Sequence, residues 1–418
     1  MTLYIFSFVD RMIIALLVAP IKADLDLSDT DIGLLHGFAF ALFYTFVGVF
    51  LARLADTWNR TSLIAIGVLI WGTATAASGL AGSFAMLFAA RIIVGVGEAT
   101  LSPAAYSLIS DYFPPEKRAR AMSVYTSGIY FGVGAALIFG GLVIGWVGRE
   151  GTMHLPLVGD VVAWRAVFIA VGLPGLFFFA LVRLFVREPP RRELSVAPPT
   201  FAAFRSFFKG QRRLYLSHYI GFSFLVMYSY SFSAWTPSLL ARSHGLSPVD
   251  ASLQLGVMIL LTAPAGVMLG SVISQRLRQK YGRGAAMRVG VISASSAIVP
   301  AILFTLADDP WLALMLIGLT QFLITLPFGV APAALHEVTP NQFRGQVIAI
   351  YLLFINLIGL GLGPLMVGVL TDYVFRDESM LNYSMLVLAV VLLPLSAVLL
   401  ARATRIFQHH DAEPVSPG

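Results

Sequence analysis

Phe84-Ala-Met-Leu-Phe-Ala-Ala-Arg91-Ile-Ile-Val-Gly-Val-Gly-Glu98-Ala-Thr-Leu-Ser-Pro-Ala-Ala-Tyr-Ser-Leu-Ile109 is the stretch that decides the fold. It exceeds the roughly 20 helical residues that cross a bilayer, yet it carries Arg91 and Glu98 in its interior. A second apolar run, Leu3 to Ile21, carries Asp10 and Arg11. A charge near the bilayer centre costs roughly 2.5–3.5 kcal/mol on insertion scales, so it persists where it faces protein or water and has a task. Arg91 and Glu98 lie two helical turns apart, roughly 10 Å along one face. Arg11 follows Asp10 by about 100° around the helix, need not share its cavity, and is read as structural. One base cannot fully compensate two buried carboxylates, so one of Asp10 and Glu98 is expected to take a proton readily. Arg91 offers a planar fork suited to a carboxylate or phosphate. A plainer reading stays open, in which Asp10 and Arg91 form a buried pair that only fixes helix packing.

The composition agrees with a membrane setting. Of 418 residues, 58% are hydrophobic and 12% charged, with mean hydropathy +0.82; a soluble domain carries about 25% charged residues. No cysteine is present, which excludes disulfides, thiolate metal sites and cysteine nucleophiles. The net charge of +6 does not indicate nucleic acid, because the basic residues sit between apolar runs and not on one face. The first run contains Asp10-Arg11 and no small-residue cleavage site, so no cleavable signal peptide is expected.

Apolar periodicity predicts an all-α membrane protein of twelve transmembrane helices, at about 2–21, 31–54, 62–82, 84–109, 120–147, 164–187, 213–241, 248–278, 284–307, 310–338, 343–373 and 380–407. The loops after even spans, with the C-terminal end, hold 21 Lys and Arg; the loops after odd spans hold five, Lys22, Arg149, Arg165, Arg242 and Arg376. This asymmetry predicts cytoplasmic termini. Residues 1–187 form the first six-helix bundle, 188–212 a cytoplasmic linker, 213–407 the second bundle and 408–418 a cytoplasmic tail. In the linker, Pro198-Pro199 breaks helix, and Phe201, Phe204, Phe207 and Phe208 share one helical face while Arg205, Lys209 and Arg212 fall on another. That pattern predicts an amphipathic helix on the inner leaflet, with an ordinary linker as the plainer alternative.

The halves repeat. Asp111-Tyr-Phe-Pro114-Pro-Glu-Lys-Arg118, then Tyr125, matches Glu337-Val-Thr-Pro340-Asn-Gln-Phe-Arg344, then Tyr351, at equal spacing. Each motif joins the fourth and fifth spans of its half, and duplicated halves with a site between them are the plan of alternating-access transporters.

These residues resemble the major facilitator superfamily, and within it the Spinster-type lipid transporters. The resemblance rests on Phe8-Val-Asp10-Arg11-Met-Ile-Ile-Ala and on Ser28-Asp-Thr-Asp-Ile-Gly33-Leu-Leu. It rests also on Arg91-Ile-Ile-Val-Gly95-Val-Gly97-Glu98-Ala99-Thr100 with Pro103 and Ser110-Asp111-Tyr-Phe-Pro. It is best over about residues 5–145 and mostly architectural beyond. It implies the major facilitator fold, two pseudo-symmetric six-helix bundles. The superfamily's signature loop is altered here to Ala52-Arg-Leu-Ala-Asp56-Thr57-Trp-Asn59-Arg60, with Ala52 and Asn59 in place of glycines and Thr57 in place of a base. The resemblance implies that Asp56 helps latch the cytoplasmic side. The stretch Gly270–Arg283 is basic but lacks the acid, so no second latch is expected.

The expected site is Asp10 and Glu98 for the proton and Arg91 for an anionic substrate. Tyr125, Tyr228, Tyr230, Gln321, Thr325, Tyr351 and Asn356 are further candidates for substrate contact. Asp56, Arg60, Asp111, Arg118, Glu337 and Arg344 are candidates for a cytoplasmic gate. Glycines 128, 132, 134, 140 and 141, and glycines 359, 361, 363 and 368 around Pro364, are expected to let helices approach closely. A cavity charged on one wall and mostly apolar on the other suits an amphiphile. The expectation is therefore a proton-coupled carrier of lysolipid- or sphingolipid-like amphiphiles, monomeric, in the cell membrane, with protons as coupling ion and no other cofactor. A carrier of small organic anions such as sugar acids, and a drug exporter, remain alternatives. No HExxH or GxSxG motif and no intramembrane metal cluster suggest an enzyme, and no sizeable soluble domain suggests a receptor. His409-His410 lack companion ligands for a metal site.

Overall fold

Every predicted span is helical in a computed structural model, which describes residues 1–147, 152–155, 159–191, 200–282 and 284–410. Pro198-Pro199, Arg149, Arg283 and residues 411–418 of the tail lie outside the described residues. The first half comprises α1 (Thr2–Leu16), α2 (Val18–Leu25), α3 (Asp29–Gly33), α4 (Ala39–Thr57), α5 (Arg60–Ser78), α6 (Phe84–Glu98), α7 (Leu101–Tyr112) and α8 (Pro115–Val147). A hairpin, β1 (Thr152–Leu155) and β2 (Gly159–Val162), leads into α9 (Ala163–Gly172) and α10 (Pro174–Phe185). The second half comprises α11 (Phe201–His244), α12 (Pro248–Tyr281), α13 (Ala285–Leu306), α14 (Pro310–Thr325), α15 (Ala331–Val338), α16 (Arg344–Phe354), α17 (Leu362–Val369) and α18 (Leu381–His410). Among the described residues, nine helical stretches are long and apolar enough to cross a membrane, ten with the bent pair α1–α2.

That bend has a local cause. The first span is predicted as one helix over about 2–21, and α1 and α2 within it meet at 61°. Pro20 has no N–H to donate to the Leu16 carbonyl, and its ring crowds that carbonyl, so the helix breaks just ahead of it. The antiparallel hairpin, which pairs Thr152 with Val162 and Leu155 with Gly159, is not among the sequence expectations. Its strands are shorter than a span and leave little periodicity to read.

The chain packs as two units. Unit 1 is Met1–Leu194, Ser231–Leu260 and Pro364–Leu381; unit 2 is Ser195–Tyr230, Leu261–Gly363 and Asn382–Gly418. Within unit 1 the backbones approach closely where side chains are absent. A Cβ on Gly72 of α5 would lie 2.8 Å from the Gly175 Cα of α10, and one on Gly33 of α3 would lie 2.7 Å from the Leu365 Cα of α17. Such contacts exclude any larger residue and set the helix spacing. Asp24 at the end of α2 accepts from Trp164 Nε1 at 3.0 Å and Arg165 Nη2 at 2.8 Å, which fastens the start of α9.

In unit 2, α11 is interrupted by non-helical backbone at Gln211, so its first turns form a separate linker segment. Part of the aromatic face expected to lie on the bilayer surface packs on protein. Phe207 stacks on Phe343 at 4.5 Å, Phe208 stacks on Tyr215 at 5.5 Å, and Phe204 is buried. A helical apolar face reads the same in sequence whether lipid or protein covers it. Further along, Tyr219 donates to the Val347 carbonyl at 2.9 Å, and Ser396 donates to the Gly221 carbonyl at 2.8 Å.

Candidate functional site

Four charged side chains meet inside unit 1. Arg91 Nη1 on α6 donates to Asp10 Oδ1 on α1 at 3.0 Å, and Thr75 on α5 also donates to Asp10. Arg11 Nε donates to Glu98 Oε2 at 2.6 Å, and Ser7 Oγ donates to the same oxygen at 2.7 Å. Asp10 is 0% exposed, Arg91 and Glu98 1% and Arg11 8%, so water screens none of them well. Consecutive positions of α1 thus serve two pairs, because α1 is buried on several sides. The arrangement corrects the reading of Arg11: it is a full member of the cluster. It also changes the charge balance, from two acids against one base to two ion pairs with zero net charge.

The pairing is saturated on one side only. Glu98 Oε1 and Arg91 Nε are buried and have no hydrogen-bond partner among the described residues. Leaving such atoms unmatched is costly in a buried site, and it marks where a further ligand or proton would be accommodated. Arg11 is steadied by aromatic faces, its guanidinium carbon 4.5 Å from the Phe40 centroid, 4.8 Å from Phe8 and 5.0 Å from Tyr44. Tyr125 stacks on Tyr4 at 4.6 Å, and Tyr4 meets Phe8 edge-on at 5.3 Å, which links this predicted residue to the cluster through rings. Buried His36 sits in a π-helical turn, Leu34–Phe38, between α3 and α4, with Nδ1 unpartnered among the described residues; sequence reading passed over it, as it did Ser7 and Thr75.

The remaining substrate candidates fall in unit 2. Tyr228 is buried and Tyr230 half-buried on α11. Gln321 and Thr325 lie one turn apart on α14, and Thr325 Oγ1 donates to the Gln321 carbonyl at 3.0 Å. Tyr351 packs beside His218 at 5.4 Å and Tyr219 at 6.1 Å. Asn356 is half-buried in the π-helical stretch Ile355–Gly361.

The gate candidates separate into a hub and its surroundings. Arg60 is fully buried: it pairs with Asp111, donates Nε to Glu188 Oε1 at 2.6 Å and Nη1 to Ser107 Oγ at 2.8 Å, and reaches the Pro189 carbonyl at 3.1 Å. Asp56, to which the family resemblance gives the latch, is exposed and has no ion pair among the described residues. The sequence repeat is matched in contacts. Arg118 Nε donates to the Phe113 carbonyl at 3.2 Å, and Arg344 Nε donates to the Thr339 carbonyl at 3.0 Å, each five residues back. Asp111 holds Arg60 ahead of the third span; Glu337 accepts from the Gly284 N–H at 3.0 Å ahead of the ninth, with Arg278 at 3.5 Å. Glu337 is thus the second-half counterpart of Asp111 in the repeat motif.

A second charged cluster lies at the opposite, odd-loop end of unit 1. The Asp29 carboxylate, fully buried at the start of α3, accepts from Arg242 at 2.6 and 2.8 Å and pairs with Lys22. Lys22 also reaches Glu378 at 2.8 Å. Asp372 accepts from the Thr30 N–H and Oγ1, both at 2.6 Å, and so helps cap α3 from a distant segment. No group of three or more His, Asp or Glu with metal-site proximity occurs among the described residues.

Known proteins share this arrangement of helices. The model of the Major Facilitator Superfamily matches residues 1–364. The chain belongs to the major facilitator superfamily. Among superfamily members, an MFS-type efflux pump of Mycolicibacterium smegmatis is 27% identical over 89% of this chain and 82% of its own. Protein spinster homolog 1 of Xenopus tropicalis is 26% identical over 89% and 72% of the two chains, and a hexuronate transporter of Bacillus subtilis is 24% identical over 88% and 85%. A crystal structure of a bacterial homologue of the human lysosomal transporter Spinster, inward-facing and occupied, matches with a TM-score of 0.83 at 26% identity, covering 99% of this chain and 97% of that one. The chain is a multi-pass membrane transporter of this superfamily, similar to Spinster proteins along most of its length.

Proposed function

We propose that this chain is a proton-coupled secondary transporter of lysolipid- or sphingolipid-like amphiphiles that works by alternating access. The observation that carries the coupling is the pair of buried ion pairs sharing α1, with Glu98 Oε1 and Arg91 Nε left unmatched among the described residues. The four charges sum to zero, so an anionic headgroup arriving alone leaves an excess negative charge in low dielectric. A proton taken by Glu98 or Asp10 cancels that excess and releases the partner arginine toward the anion. Anion and proton binding thus reinforce each other, a coupling that is reciprocal by linkage. Asp10 and Glu98 carry the proton, and Arg91 meets the headgroup with its planar fork.

The lipid assignment is supported by the similarity to Spinster proteins along most of the chain, and the amphipathic balance of the candidate residues agrees with it. The similarity to a hexuronate transporter favours a second reading, a carrier of small sugar acids that uses the same arginine. The Lys and Arg asymmetry supports cytoplasmic termini; the rest of the proposal is a cell-membrane monomer with protons as its coupling ion. Proteoliposomes with an imposed pH gradient test the proposal. Labelled lysolipid is expected to move in a gradient-dependent manner while labelled glucuronate does not. Gradient-driven glucuronate movement without lysolipid movement would overturn the lipid reading in favour of the second.

A further inference from the structure

Unit 2 carries a basic recess of about 440 Å³ that lies apart from the buried ion pairs of unit 1. It is walled by Leu277 and Tyr281 at the end of α12, Arg288 and Ile292 near the start of α13, and Thr404 and Arg405 near the end of α18. The Arg288 guanidinium carbon stands 4.1 Å from the Tyr281 ring centroid, which holds the plane in place. Its Nε is buried and has no hydrogen-bond partner among the described residues. Neither Arg288 nor Arg405 has a carboxylate within ion-pair distance among the described residues, so the recess presents two uncompensated positive charges. A second recess of unit 2, about 360 Å³, is lined by Lys209, Arg212, Arg213 and Ile406 and is basic as well.

The apolar surroundings decide what kind of anion fits. From the recess, α13 presents Ile292 (39% exposed), Val299 (62%) and Leu303 (48%), spaced by two turns and then one turn along one face. This stripe runs from a charged helix end into the membrane-spanning part of α13. A soluble phosphate would use the arginines and leave the stripe idle; a phospholipid uses both. Basic pockets between membrane helices on the side rich in Lys and Arg are suited to anionic headgroups.

We propose that this recess binds the phosphate headgroup of an anionic membrane phospholipid, with an acyl chain along Ile292, Val299 and Leu303. The site is separate from the transport cluster and does not rest on the substrate assignment above. Native mass spectrometry of the full chain, titrated with phosphatidylglycerol, phosphatidylcholine or inorganic phosphate, tests it. Retained phosphatidylglycerol adducts are expected, with neither of the other two probes replacing them. Affinity should fall about five- to tenfold for each of Arg288→Gln and Arg405→Gln, as expected for one surface arginine against an anionic lipid. Arg405 is exposed, so its replacement keeps the test valid even if Arg288→Gln fails to fold. Ile292→Gln, which spares both arginines, should weaken phosphatidylglycerol alone. Unchanged phosphatidylglycerol binding in Arg405→Gln would overturn the site. Equal binding of inorganic phosphate, or indifference to Ile292→Gln, would overturn the lipid as its occupant.

Discussion

Asp29→Asn tests whether the charged cluster at the odd-loop end of unit 1 holds that end shut. Asp29 is the buried hub: Arg242 donates to both carboxylate oxygens at 2.6 and 2.8 Å, and Lys22 pairs with it as well. Glu378 is a weaker alternative acceptor, with its side chain 62% exposed and Arg242 3.8 Å away. At an effective dielectric near 20, two unit charges about 4 Å apart attract by about 4 kcal/mol, so the two bases supply roughly 8 kcal/mol before desolvation. Burying the carboxylate takes back several kcal/mol, which leaves about 3 kcal/mol to lose when the charge becomes an amide of the same shape. That is roughly a hundredfold change in the ratio of closed to open states. The chain contains no cysteine, so Ser233→Cys makes a single reporter. Ser233 lies on α11 nine residues before Arg242, with its Oγ 3.5 Å from the Met12 sulfur of α1. A membrane-impermeant maleimide applied from the odd-loop side should label this reporter about a hundredfold faster with Asp29→Asn. Glu378→Gln removes only an exposed partner and should accelerate labelling by no more than about fivefold. A labelling rate within about twofold of the parent in Asp29→Asn, in a protein that remains folded, would refute the latch.

Three further outcomes are expected. Glu98→Gln and Asp10→Asn should each abolish proton-driven uptake in proteoliposomes while the protein still elutes as a folded species; uptake with the parent's pH dependence in both variants rules out the coupling assignment. Arg60→Gln should lower thermal stability by about 3 kcal/mol because it strands buried Asp111 and half-buried Glu188, whereas Asp56→Asn should shift it by no more than about 0.5 kcal/mol; equal melting shifts contradict the ranking. A Cβ on Gly145 would lie 4.0 Å from the Val249 Cβ, within disulfide reach, so Gly145→Cys with Val249→Cys should crosslink α8 to α12 and block lysolipid transport until reduced; transport that survives full crosslinking argues against parting of that seam.

What could be read from the sequence, and what could not, follows from the range of the interactions involved. The spans are local features of apolar run length, and the sidedness expectation needs only the positions of Lys and Arg. The repeat motif was visible because its spacing is also local, and it carries matching contacts in both halves. Asp29 was not singled out, since an acid at a predicted helix start is an ordinary N-terminal residue until Arg242, 213 residues later, is placed against it. In the phenylalanine face of the linker, Phe207 packs on Phe343 and Phe208 on Tyr215, contacts that the local pattern does not encode. Arg11 is the most instructive miss. A rotation of about 100° from Asp10 separates two residues only if the helix has one buried face, and α1 buries both. With Arg11 against Glu98 the cluster holds no excess acid. In the proposed cycle the proton is therefore not drawn in by surplus negative charge. It enters when an arriving anion competes for an arginine, and the carboxylate left behind must be neutralised within the same low-dielectric cluster. On this view Arg11 and Arg91 are alternative docking points for one incoming charge. Each is kept in reserve by the carboxylate it now holds, and the two acids are distinguished by which arginine the substrate displaces.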